Sequence, residues 1–269
     1  MDPLLKVRHE AIWAYYHRLF SVWGHQHWWP AQSRFEMIVG AYLTQNTAWT
    51  NVAKALVNLR RARLLTLNGI RKTPQSELET LIRPAGYCRQ KAQLLKRFVS
   101  FLDERYDGSL TKMFSHPTSE LREELLTLNG VGPETADSIL LYAGNHPVFV
   151  VDAYTRRIFE RHQIISSAAD YEEIRELFQQ ALSNNDGILT ATASISTSAA
   201  PAALGPRGSC HRPSRMSTAE RTALVQIFNE IHGLIVGVGK TYCLKSQPRC
   251  ELCPLQEFLP AGKVNIGDE

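Results

Sequence analysis

One short stretch constrains this chain more than any other: Leu128-Asn129-Gly130-Val131-Gly132-Pro133-Glu134-Thr135-Ala136-Asp137. Residues at helical spacing stand on both sides of it. Ser119 to Thr127 leads in, and Ala136, Ile139, Leu140 and Ala143 follow the i, i+3, i+4, i+7 rule. The pattern predicts a helix, a tight Gly-x-Gly hairpin and a second helix. Glycines in such a turn let backbone N–H groups come close to a phosphate. Further on stands Val150-Val151-Asp152, a lone carboxylate at the end of an apolar run, eighteen residues beyond Glu134.

The rest of the chain is also patterned for helices. Leu5, Ile12, Trp13, Tyr16, Leu19 and Phe20 give one face within residues 4–20, followed by a tryptophan-rich loop from Trp23 to Pro30. Phe35 to Leu43 is apolar enough for a buried helix, and Val52, Ala55, Leu56 and Leu59 line the next. Thr73-Pro74 reads as a helix cap with proline at the first helical position, and that helix stops near Pro84-Ala85-Gly86. Leu94, Phe98, Phe101 and Leu102 form a further face, with Arg89, Lys91, Lys96 and Arg97 making the helix basic. Tyr171 to Leu182 is helical, and Leu224, Ile227, Phe228, Ile231, Leu234 and Ile235 form the last strong face. Val148 to Val151 has strand composition but reads better as a buried extended lead-in to a helix capped by Asp152. No strand repeat is present, so the expected fold class is all-α.

Residues 183–217 break this pattern. Thr190 to Ala200 is low-complexity, and Pro201 to Pro213 adds proline, glycine and arginine without period. The expectation is a disordered surface insertion, or else a mistranslated or frame-shifted segment, with no function in either case. Net charge is +4, which fits a polyanionic partner without requiring one. No apolar run spans a bilayer, and Met1 to Glu10 has no apolar signal core, so the expected location is cytoplasmic, nucleoid-associated in a bacterium. Five cysteines, an odd count, argue against a disulfide scaffold.

The hairpin with its downstream aspartate resembles the helix-hairpin-helix DNA glycosylases of the endonuclease III superfamily. The likeness covers about residues 28–182 and 224–260. It implies a monomer with two helical lobes and a DNA-facing cleft, acting on double-stranded DNA with a damaged base. One lobe would comprise residues 1–30 and 153–260, interrupted by 183–217 and carrying a cysteine loop at 243–253. The other would comprise residues 31–152 and contain the helix-hairpin-helix at about 120–143. Asp152 matches the family's catalytic aspartate. Breaking a base–sugar bond develops positive charge on the sugar, which a carboxylate stabilises while it orients the attacking water. Asp152 also reads as a plain helix cap, and both roles can hold together.

Glu134 departs from the bifunctional members, which place a lysine there as the attacking amine of strand cleavage. Glutamate cannot attack in that way, so the expected enzyme releases a base and leaves an abasic site. Glu134 itself also reads as an exposed helix-start residue. Asn129, Gly130, Val131 and Gly132 would grip the DNA backbone, with Glu134 beside them.

A second set of motifs, Trp28-Trp29-Pro30, Phe35-Glu36 and Gly40-Ala41-Tyr42-Leu43-Thr44-Gln45-Asn46-Thr47, resembles the 3-methyladenine DNA glycosylases of endonuclease III type. Alkylated purines of that kind carry positive charge and are drawn to aromatic faces. Trp28, Trp29 and Phe35 are the candidate pocket walls; core packing is the competing reading for each. Gln45 matches the residue that fills the gap left by a flipped base, against a plain turn role. The implied alternatives are another base specificity or a non-catalytic DNA-binding protein. Lys91 beside the Pro84-Ala85-Gly86 turn is a weaker phosphate candidate, and His232 reads as a packed histidine.

Cys243, Cys250 and Cys253 form Cys-x6-Cys-x2-Cys. The resemblance implies a four-iron, four-sulfur loop, but its fourth cysteine is replaced by Leu259. The expectation is a degenerate cluster site, with an unusual ligand, a zinc ion or no metal as the outcomes.

Overall fold

The computed structural model describes residues 2–183 and 211–260. The described residues are helical and contain no strand. They divide into two compact units, Met1–Pro30 with Pro147–Glu269, and Ala31–His146. Residues 147–152, which the sequence reading gave to the hairpin-bearing lobe, group instead with the first unit, so Asp152 and its lead-in share a unit with the C-terminal helices.

The first unit contains α1 (Pro3–Trp23), α10 (Ala153–Arg161), α11 (Tyr171–Leu182) and α12 (Ala223–Thr241). Apolar residues occur all round α12, and burial on every side is what such a helix requires. It packs against α1, α10 and α11. Phe149 and Phe178 stack at 4.3 Å, with Phe228 edge-on to Phe149 and Phe159 edge-on to Phe178. Each such ring contributes roughly 1.5–3 kcal/mol through burial. Val148 to Val151 is buried and lies outside any helix or strand, leading into the helix that Asp152 caps.

Part of the expected insertion is structured. His211 donates its backbone N–H to the Gln26 carbonyl at 3.1 Å, and its ring lies 5.5 Å from that of Trp28. Ser214 and Ser217 bond each other's backbone N–H through their hydroxyls, and Met216 is buried. The expectation of an unpatterned surface segment therefore fails for residues 211–217. Short polar residues bonding one another left no periodic signal there. Residues 184–210, including Cys210, lie outside the described residues.

The second unit runs from α2 (Arg34–Thr44) through α3 (Trp49–Arg61), α4 (Leu67–Lys72), α5 (Gln75–Ile82), α6 (Cys88–Tyr106), α7 (Leu110–Met113) and α8 (Thr118–Leu126) to α9 (Pro133–Ser138). A single π turn, Ile139–Ala143, continues α9. Buried residues of α2, α6 and this π turn supply core, including Tyr42, Phe98 and Leu140. Thr73 does not cap α5: its hydroxyl returns to the Gly69 carbonyl and closes α4, while Pro74 occupies the cap position of α5.

Lys91 departs from its expected role. It is buried, and its ammonium donates to the Leu43 carbonyl (2.8 Å), the Thr47 hydroxyl (2.7 Å) and the Ala85 carbonyl (2.9 Å). Burial pushes its amine down to about 8. The residue ties the end of α2 to the turn before α6 and does not face a phosphate. Replacing it by methionine removes three bonds made by a buried ammonium; the Leu43 carbonyl loses this donor while the Ala85 carbonyl keeps the Thr47 hydroxyl at 2.6 Å, and losses of this kind cost about 1–3 kcal/mol each. Lys91→Met should destabilise the protein by about 3 kcal/mol in chemical denaturation, with DNA affinity unchanged below the transition.

Candidate functional site

The hairpin is built as the sequence implied. Gly130 has φ +87°, a conformation in which side chains are strained, and a Cβ there would stand 2.4 Å from Leu94 Cδ2. The Val131 N–H closes the turn on the Leu128 carbonyl at 2.9 Å, and Gly132 forms the N-cap position of α9 with Pro133 following. Asn129, Gly130, Gly132 and Glu134 are exposed. Val131 is buried, so its side chain anchors the turn and only its backbone remains for contact with a phosphate.

Gln45 is brought to this hairpin from 85 residues away. It ends α2, and its side-chain amide donates to the Gly130 carbonyl at 3.0 Å and the Thr135 hydroxyl at 2.9 Å. The two features read separately in sequence are thus one surface of the second unit. Phe35 is buried in the same unit, within α2. Its neighbour Glu36 is buried too, paired with Arg60 and accepting from the Gln32 N–H at 3.1 Å.

In the first unit Asp152 caps α10. Its Oδ1 accepts from the Thr155 N–H at 2.7 Å and the Thr155 hydroxyl at 3.0 Å. Its Oδ2 lies 3.6 Å from His232 Nε2 on α12. Gly239 permits this approach of α10 to α12: a Cβ at that position would fall within 2.2–2.7 Å of Tyr154. Burial holds the His232 imidazole below its ordinary pKa, against the pull of Asp152 in the other direction. Lys240, one further turn past Val236 on α12, is lowered by desolvation and raised by Asp152.

Trp28 and Trp29 are both buried, edge to face at 5.5 Å. The Trp28 ring lies 6.0 Å from that of His232, and Lys240 Nζ stands 5.8 Å from its centroid. A cation thus already occupies one aromatic face, which the sequence did not reveal. Trp28 also lines a cavity of about 210 Å³ with His25, His27, Ser217, Asn229 and Glu230. Sequence reading missed Glu230. It is buried on α12, accepts from the Gln26 N–H, His25 Nδ1 and Gln226 Nε2, and thereby fixes the loop that carries both tryptophans. A glutamate inside an otherwise apolar helical face was the available signal.

The three cysteines share a small cavity of about 20 Å³ with Leu259 on its wall, room for about one water. Burial raises Cys250 and pushes the Cys253 thiol up to about 11, favouring thiol over the thiolate that a metal needs. Arg161 donates to Cys243 Sγ (3.2 Å) and to the carbonyls of Leu244 and Lys245, while Arg157 reaches those of Cys243 and Gly239. Three thiols and a leucine do not fit a four-thiolate cluster, and the described residues offer no group of three or more ligating side chains arranged for a metal ion.

A family model described as HhH-GPD superfamily base excision DNA repair protein matches residues 39–184. The chain belongs to this superfamily. It is a DNA glycosylase of the helix-hairpin-helix, endonuclease III-like type, acting in base excision repair. A Methanocaldococcus jannaschii protein named "Putative DNA repair glycosylase MJ1434" is 39% identical over 251 residues, covering 93% of this chain and 96% of the relative. The structure of H. pylori 3-methyladenine DNA glycosylase (MagIII) bound to 1,N6-ethenoadenine superposes with a TM-score of 0.67 at 28% identity, covering 87% of this chain and 97% of that one. A non-covalent endonuclease III–DNA complex gives 0.65 at 19% identity over 98% of each chain, a likeness of fold. No described helix is long and apolar enough to cross a membrane.

Proposed function

We propose that this protein is a monofunctional glycosylase that hydrolyses the N-glycosidic bond of an alkylated purine such as 3-methyladenine, leaving an abasic site in duplex DNA. The observation that carries the reading is Asp152, with one oxygen held by the α10 cap and the other directed away from it. In this reading Asn129, Gly130, Gly132 and the Val131 backbone, with Glu134 beside them, hold the DNA backbone. Gln45 exchanges its bonds to the hairpin for the gap left by the flipped nucleotide. Trp28, Trp29 and Phe35 contact the flipped base, and Asp152 stabilises the developing positive charge on the sugar and orients water. Glu134 is exposed at the place of the lyase lysine, and a carboxylate forms no Schiff base. The likeness to the 3-methyladenine glycosylase supports the purine assignment.

The test is base release from duplexes carrying 3-methyladenine, 1,N6-ethenoadenine or an oxidised pyrimidine, with strand nicking followed in parallel. Release of an alkylated purine without nicking is expected. Nicking of the oxidised-pyrimidine duplex that is lost on changing Asp152 would overturn both the purine and the monofunctional assignments.

A further inference from the structure

Both restraints on Asp152 that come with the helix cap act on the same oxygen, Oδ1. A carboxylate held at one oxygen can still pivot about it, and its second oxygen then sweeps an arc. The group in reach of that second oxygen is His232 Nε2, 3.6 Å away. His232 is itself immobilised: it is buried, with the Trp28 ring at 6.0 Å and the Phe149 ring at 6.5 Å. The separation exceeds a hydrogen bond by a few tenths of an ångström, and small closures of this kind are ordinary when an empty site takes up its substrate.

We propose that His232 is a positioning residue for Asp152, its Nε2–H directed at Oδ2 so that the plane of the carboxylate is fixed for the sugar of a bound nucleotide. This rests on the reading of Asp152 as the catalytic carboxylate. The titratable groups facing His232 are Asp152 at the head of α10 and Lys240 on its own helix; the Trp28 loop and the 147–152 lead-in present aromatic rings. Burial lowers the pKa of the imidazole and so favours its neutral form. A neutral donor orients the carboxylate without cancelling its charge, whereas an imidazolium would pair with it and weaken its field at the sugar.

Two measurements test this. In the wild-type protein, nitrogen-15 NMR of labelled histidines, with the His232 signals identified by their loss in His232→Gln, should place the proton on Nε2 at neutral pH. An unprotonated Nε2 would overturn the proposal. In single-turnover base release, His232→Leu, which keeps apolar volume, should slow the reaction by roughly a hundredfold, the scale set by a misplacement of about 1 Å. Its affinity for a duplex with an abasic-site analogue should be unchanged. His232→Gln, whose amide can again donate, should recover most of the rate. Full activity in His232→Leu, beside loss in Asp152→Asn, refutes the role of His232 alone. Full activity in Asp152→Asn refutes the reading of Asp152 on which it rests.

Discussion

Asp152→Asn should lose base release by about 10²–10³-fold while folding and binding DNA as before. The substitution separates the two roles that this residue combines. Asparagine is as good a helix cap as aspartate, and its side-chain oxygen can keep the bonds to the Thr155 N–H and hydroxyl. The stability change should therefore stay below about 1 kcal/mol. What disappears is the negative charge opposite the sugar as the base departs. That charge acts most strongly in the transition state, so its removal should depress the single-turnover rate and leave the affinity for an abasic-site analogue nearly unchanged. A residue serving only as a cap would show the reverse: full activity in the asparagine variant. Asp152→Ala completes the comparison, because it removes cap and charge together and should add roughly 1 kcal/mol of destabilisation.

The elements legible in sequence were those governed by local rules. The hairpin announced itself through Gly130 and the helical faces on either side, and the left-handed backbone at Gly130 is the physical reason a glycine stands there. The all-helical fold followed from spacing, and the cap of α10 from the place of Asp152 after a buried apolar run. What stayed hidden depended on contacts distant in sequence. Lys91 looked like one more cation on a basic helix, yet its three acceptors come from Leu43, Thr47 and Ala85. Gln45 and the hairpin meet across 85 residues. Glu230 holds a loop 204 residues before it. His211 to Ser217 order themselves through hydrogen bonds and one ring contact, which carry no period. The spacing of the three cysteines was plain, but only packing showed that Leu259 and two arginines complete their surroundings.

Asp137→Asn should destabilise the protein by about 3–5 kcal/mol, more than any other single polar substitution considered. Asp137 lies in α9 just past the hairpin and is wholly buried. Its carboxylate pairs with Arg122 of α8 through two bonds, 2.7 Å to one oxygen and 3.1 Å to the other, so the pair clamps the helices that flank the turn. Asparagine fits the space but removes the carboxylate charge that faces the largely buried Arg122 guanidinium. The lost attraction between two buried charges, together with the weakened bonds, sets the cost. A second variant separates the charge from the packing. Arg122→Met with Asp137→Leu removes both charges and should recover most of the loss, because a buried pair replaced by apolar groups is often close to neutral. Thermal unfolding reads both; about 3 kcal/mol corresponds to a fall of roughly 10 °C for a protein of this size. DNA affinity measured below the transition then separates stability from geometry. If the clamp sets the hairpin's shape, Asp137→Asn should bind duplex DNA more weakly even when fully folded. The double variant tests whether apolar packing alone can hold α8 and α9 in the same register; weak binding with restored stability would show that the hairpin needs the bidentate pair itself.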